Sequence, residues 1–281
     1  MWKLLALLTL IASPVLAEMQ RIGLGQRFYL IDLADQPSGA LIVALHGAGG
    51  SPGQLARMTE LAAAGTAQGY AVVFAAGSGA GGQATWNAFH CCGQAVKTQV
   101  DDLAFLDSVM DDAARRFGLD GRRVYLTGMS NGAMMAQTYA VLRPDRVRAV
   151  AGVSGTLDLS QVSATPVPLL HIHGDADAVV PYAGGRTRNL AAAFTPVSAL
   201  IAAFVAAHGG LARSSRSADP VDDGTAVHID DYTDAQGVVQ VRLITVQGGG
   251  HAWPGAAAGR RPTSQDISAT AEVLAFFALH P

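Results

Sequence analysis

Five short apolar runs, each closing on glycine, constrain this chain more than any other feature of its sequence. They are "ALIVALHG" (40–47), "YAVVFAAG" (70–77), "RVYLTG" (123–128), "VRAVAGVSG" (147–155) and "PLLHIHG" (168–174), and "RFYLIDL" (27–33) precedes them. The runs are continuous rather than alternating, which is the pattern of strands buried on both faces in a parallel sheet. Between them lie helical patterns at 54–68, 101–117 and 132–142. The segment "DLAFLDSVMDDAARRF" (102–117) places acidic residues towards its start, where a helix dipole favours them. Further on come a helix near 196–208, a strand pair near 225–232 and 238–246, and a last helix near 266–279. Strands alternating with helices predict an α/β fold: a mostly parallel central sheet with helices on both faces. The chain has 281 residues, half of them apolar, so it can bury an ample core. It shows no internal repeat or long low-complexity linker, and a single domain over residues 18–281 accounts for it.

The formal net charge of -3 argues against nucleic acid as a partner, because that needs a concentrated basic face. The N-terminus reads differently from the rest. Lys3 precedes the run "LLALLTLIA", then Pro14, then small residues ending at Ala17. These are the parts of a secretory signal peptide over residues 1–17, too short to span a bilayer. The expectation is an exported protein, secreted or periplasmic, with no membrane association once the leader is removed.

Export bears on Cys91 and Cys92, the only cysteines. Being adjacent, they are not a zinc site, which needs more ligands at wider spacing. An oxidising compartment would let them bridge. Successive Cα atoms about 3.8 Å apart lie below the usual disulfide range, however, so two buried thiols are an equal alternative on chemistry alone.

The run at 123–128 continues into "GMSNG" and then a helical pattern. That is a G-x-S-x-G nucleophile elbow in the strand–turn–helix setting such an elbow requires. In a parallel sheet, active groups collect at the carboxyl ends of the strands, and Ser130 sits at one. The following helix points its N-terminal amides here, making the amide of Asn131 a candidate oxyanion donor. A serine needs a base oriented by a carboxylate, in the chain order serine, acid, histidine on this fold. Of eight histidines, His251 in "QGGGHAWPG" lies on a glycine-rich loop directly after the strand "VRLITV", where the base belongs. Asp175 and Asp177, just beyond "PLLHIHG", both fit the acid, and spacing does not choose between them. The segment "LHGAGGS" (45–51) offers a second oxyanion donor at Ala48 or a neighbouring glycine, with His46 shaping the loop.

Together these segments resemble the polyhydroxybutyrate depolymerase and feruloyl esterase group of α/β-hydrolases. The landmarks are "LHGAGG", "TWNAFHCCG", "VDDLAFLD", "RVYLTGMSNGAMMA", "HIHGDADAVVPYAGG" and "GGGHAWPG", spread over nearly all of residues 18–281. The resemblance implies the α/β-hydrolase fold and a catalytic triad of Ser130, Asp177 and His251, and it selects Asp177 over Asp175. It also implies a disulfide between Cys91 and Cys92 beside the active site, and substrate contacts from Trp86 and Trp253. Two departures stand out. Members of the group commonly carry Trp and Asn-Gly-Cys near 196–210, where this chain has Phe204 and His208-Gly209-Gly210. Polymer-degrading members also append a polymer-binding domain, whereas the expectation here is a catalytic domain alone, which weakens the case for attack on insoluble polyester.

The expected activity is an exported serine esterase that works through an acyl-enzyme with no metal or organic cofactor. Hydroxyalkanoate oligomers are the first expected substrates, with feruloyl or acetylated polysaccharide esters as the alternative. A serine peptidase or a non-catalytic binding protein on the same fold are the rival readings.

Overall fold

The structure is a computed structural model that describes residues 19–79, 82–161, 166–187, 192–257 and 263–281. The expected leader lies outside the described residues. The chain opens with a hairpin, β1 (Gln20–Leu24) and β2 (Arg27–Asp32), then β3 (Leu41–Leu45), α1 (Pro52–Thr59), α2 (Leu61–Thr66) and β4 (Ala71–Ala75). Next come α3 (Gly93–Lys97), α4 (Asp102–Phe117), β5 (Val124–Met129), α5 (Asn131–Leu142), β6 (Ala149–Val153) and β7 (Leu169–Gly174). A two-residue pair, β8 (Gly185–Arg186) and β9 (Ala193–Phe194), precedes α6 (Val197–His208). The chain ends with β10 (Ala212–Ala218), β11 (Ala226–Thr233), β12 (Val239–Gln247) and α7 (Ala269–Ala278).

Ten strands form one sheet in the order β1-β2-β4-β3-β5-β6-β7-β12-β11-β10. The six from β4 to β12 are parallel, with β3, β4, β6 and β7 buried at every position, as continuous apolar runs require. Antiparallel pairs close both edges. One of these corrects the sequence reading: residues 27–32 form an antiparallel strand, because β2 returns along the sheet edge from the β1 hairpin. The sheet divides the core in two. Leu41, Val43 and Leu45 face α4, α5 and α6, through Leu106, Met134 and Phe204 among others. Ile42 and Ala44 face α1, α2 and α7, through Leu55, Leu61 and Phe277. This is the two-faced cover that the alternating pattern predicts.

The helix expected over 54–68 is two helices. Glu60 has φ +51, and its amide caps α1 by donating to Ala56. The Thr59 hydroxyl accepts from the amide of Leu61, so the break is bonded rather than frayed. Among the described residues no helix is long and apolar enough to cross a membrane, and no group of three or more His, Cys, Asp or Glu could hold a metal ion.

Candidate active site

Ser130 joins β5 to α5 with φ +57 and ψ -125, a backbone conformation non-glycine residues rarely adopt. The amide of Ser130 donates to Val153 at 2.8 Å, and its carbonyl accepts from Met134 at 3.0 Å, so neighbours on both sides hold the turn. The flanking glycines are required by close approach. A Cβ on Gly128 would stand 2.5 Å from the Gly132 carbonyl carbon and 2.8 Å from the Leu45 carbonyl oxygen. A Cβ on Gly132 would overlap the Leu45 carbonyl outright. The elbow thus packs backbone against backbone under a serine whose side chain reaches a cleft.

That cleft has a volume of about 260 Å³. The 46–51 loop lines it together with Gln54, Leu55 and Met58 of α1, and Met129, Ser130 and His251 complete it. Among the described residues no Lys, Arg, Asp or Glu lines it. His251 follows β12 on a glycine turn in which Gly248 has φ +73. The Nδ1 of His251 lies 2.7 Å from Oδ2 of Asp177. The other carboxylate oxygen, Oδ1, accepts from the amides of Val179 and Val180 at 2.8 and 2.9 Å. An ionised carboxylate only accepts, so Nδ1 carries the proton and Nε2 keeps its lone pair. Burial alone would raise the pKa of Asp177. Hydrogen bonds from His173, His251 and the Val180 amide outweigh burial and hold the carboxyl far below the usual range.

Behind Asp177 two further histidines are buried. The Nε2 of His173 donates to the Val180 carbonyl at 2.8 Å, which leaves Nδ1 to accept from Nε2 of His171 at 3.1 Å. Asp175 points elsewhere: its carboxylate accepts the Gly248 amide at 2.7 Å and fastens the turn that carries His251.

Asn131 acts through its side chain as well as its place at the start of α5. It is fully buried; Oδ1 accepts the Trp86 amide at 2.7 Å, and Nδ2 donates to the carbonyls of Trp86 and Cys91 at 3.0 and 3.2 Å. This ties the 86–92 loop to the elbow. From the other side Asp102 accepts both the Asn87 amide, at 2.7 Å, and Arg27, at 2.6 Å. The sulfurs of Cys91 and Cys92 lie within bonding contact in this loop, and the peptide between them is cis. His46 is buried and structural: Nε2 accepts the Gly77 amide at 2.9 Å, and Nδ1 donates to the Gly47 carbonyl at 2.8 Å. The amides of Gly49 and Gly50 are committed to the Ala84 and Gly47 carbonyls, whereas Ala48 lines the cleft.

The tryptophans correct the sequence expectation, for neither lines the cleft. Trp86 is wholly buried, its ring nitrogen donating to the His46 carbonyl at 2.9 Å. Trp253 is 2 % exposed and donates to Thr270 at 3.0 Å. Large rings with a bonded N–H are core material here, and both belong to the framework around the site. Sequence pattern gives no role to the side chains of Asn131, His173, Leu55 and Met58. Asn131 at the first position of a mostly apolar helix is the one local signal for any of them.

Residues 29–195 match the family described as phospholipase/carboxylesterase. A Nocardia uniformis subsp. tsuyamanensis protein named as an esterase, NocK, is 33 % identical over 239 residues, covering 79 % of this chain and 67 % of its own. Feruloyl esterase B of Piromyces equi is 27 % identical over 75 % of this chain, which spans only 39 % of that enzyme. Among solved structures, an acetyl xylan esterase from Aspergillus awamori superposes with a TM-score of 0.63 at 13 % identity, covering 93 % of this chain and 99 % of its own. At that identity the likeness speaks to the fold.

Proposed function

The chain belongs to the phospholipase/carboxylesterase family and is an esterase of the α/β-hydrolase kind, and from that premise we propose that Ser130, His251 and Asp177 are its catalytic triad. The observation that carries this reading is the Asp177–His251 contact at 2.7 Å, which leaves Nε2 of His251 basic in the cleft that Ser130 lines. Ser130 Oγ attacks the ester carbonyl carbon while His251 takes its proton. The tetrahedral oxyanion is held by the backbone amides of Asn131 and Ala48. His251 returns the proton to the departing alcohol; water then attacks the acyl-enzyme by the same route and frees Ser130. Asp177 fixes the imidazole tautomer throughout. Cys91 and Cys92 form a disulfide that stiffens the loop bonded to Asn131. Residues 1–17 direct the chain out of the cytoplasm, and residues 18–281 are the catalytic domain.

An uncharged carboxylic ester suits the cleft, whose lining among the described residues holds no ionised side chain to pair with a charged one. Relatives named feruloyl esterase and acetylxylan esterase support acetyl or feruloyl esters of saccharide alcohols. The hydroxyalkanoate reading draws on the sequence landmarks alone. Two measurements test the proposal. Ser130→Ala should stay folded, lose several orders of magnitude in turnover and fail to react with a fluorophosphonate. Ordinary turnover by that variant would sink the triad. A panel of acetyl, feruloyl and hydroxybutyrate esters would then rank the substrate classes.

A further inference from the structure

The cleft at Ser130 has a neighbour. A second cavity of about 220 Å³ is lined by Ala64, Trp253, Ala271 and Leu274 and by the polar Glu60 and Gln68 among others, and among the described residues Met58 alone lines both cavities. Met58 lies three residues after Leu55 on α1, so both project from the face that meets the cleft. The helix ends immediately afterwards, at Glu60, and its last turn is fastened. The Thr270 hydroxyl donates to the Thr59 carbonyl at 2.6 Å and accepts the ring N–H of Trp253 at 3.0 Å. Trp253 stands two residues from His251. The backbone bearing Met58 is therefore bonded, through Thr270, to the loop that carries the histidine. The wall's backbone is fixed relative to the site, while its side chain is an unbranched, adaptable thioether.

We propose that Met58 is the wall that sets acyl-chain length, so that of the esters considered above the enzyme takes acetyl and other compact acyl groups and not feruloyl. This rests on the triad reading given above. The acyl half enters this slot because Leu55, Met58 and Met129 make it apolar, whereas the saccharide or hydroxy-acid alcohols considered above are polar. A chain reaching Met58 must stop there. Shortening the side chain joins the two cavities, and methylenes that then pack on Ala64, Trp253 and Leu274 leave water, each worth roughly fourfold in relative turnover.

The test compares 4-nitrophenyl acetate, butyrate and octanoate in the wild-type protein, Met58→Ala and the double variant Met58→Ala/Ala271→Phe. Circular dichroism and thermal melting establish that each is folded. The reading is the octanoate-to-acetate ratio of kcat/KM, because absolute rates can change at a residue that lines the cleft. The wild type should favour acetate and butyrate. Met58→Ala should raise the ratio at least about tenfold, and Ala271→Phe, refilling the second cavity, should bring it back down. An unchanged ratio in folded Met58→Ala would overturn the proposal. So would a change in the preference between ethyl and octyl acetate larger than that in the acyl series, since it would put the alcohol in the slot. Ser130→Ala is run in parallel: activity in that variant defeats the triad, whereas a dead Ser130→Ala with an unmoved ratio defeats only the wall.

Discussion

His173 Nε2 stands 3.4 Å from Oδ2 of Asp177, the same oxygen that Nδ1 of His251 meets at 2.7 Å. Asp177 is thus flanked by an imidazole in the cleft and another in the core. His173 also bonds the Val180 carbonyl, so it holds the turn 177–180 whose amides fix the other carboxylate oxygen. Replacing His173 with Phe should release that turn and misplace Asp177, lowering kcat by up to about 100-fold with KM little changed. Gln, whose amide can still donate, should recover part of the loss. Equal rates in the wild type, His173→Phe and His173→Gln would show that the core imidazole does not position the acid.

The two aspartates of "HGDADAVVPY" separate cleanly by substitution. Asp177→Asn removes the carboxylate that Nδ1–H of His251 requires and should cost about 10⁴ in kcat. Asp175→Asn keeps an oxygen able to accept the Gly248 amide, so steady-state kinetics should change by less than about tenfold. Similar losses at both positions would leave the acid unassigned.

Asn131 offers a sharper test of the 86–92 loop than the cysteines do. Asn131→Ala leaves the Trp86 amide and two carbonyls without their side-chain partner in a buried site, a loss of about 2–4 kcal/mol. Asn131→Asp should be worse, because it turns a carboxylate oxygen towards the carbonyls of Trp86 and Cys91. Urea unfolding would rank the three proteins, and Asp as stable as Asn would contradict the bonding pattern.

Much of this architecture is legible in the sequence, for identifiable reasons. Parallel strands buried on both faces must be continuously apolar, so β3 to β7 announce themselves, and the elbow is visible because backbone packing leaves only glycine at 128 and 132. The edge strands are not legible. Every residue of β10 is exposed, and its sequence "ARSSRSA" has no apolar period to read. The break at Glu60 is equally silent, since it follows from tertiary bonds to Thr59 rather than from glycine or proline. At the site, chain order and loop position point to Ser130 and His251, whereas Asp175 and Asp177 are alike locally: only the family resemblance selects between them in the sequence, and in the fold it is Asp177 that meets His251. Tryptophans near a site invite a binding role; here the framework takes both.

Acid should destabilise the fold through its buried histidines. Burial lowers the pKa of His46, His90, His171 and His208, and lowers that of His280 to about 4. A histidine whose folded pKa is depressed takes up its proton more readily in the unfolded chain. Its contribution is complete above the unfolded pKa of about 6.5 and is lost as pH falls from there towards the folded value. For fully buried His171 the slope reaches about 1.4 kcal/mol per pH unit within that window. Its Nδ1 has no hydrogen-bond partner among the described residues, and the neighbour at Nε2 is another imidazole, so nothing there welcomes a second proton. Asp177 behaves in the opposite sense of charge but loses stability in the same direction, and only below about pH 4, as its depressed pKa requires. Urea midpoints should therefore fall steadily between pH 7 and pH 5, and His171→Phe should flatten that fall even where it lowers the midpoint at pH 7. A midpoint constant from pH 7 to pH 5 would mean that the buried histidines open to water without cost.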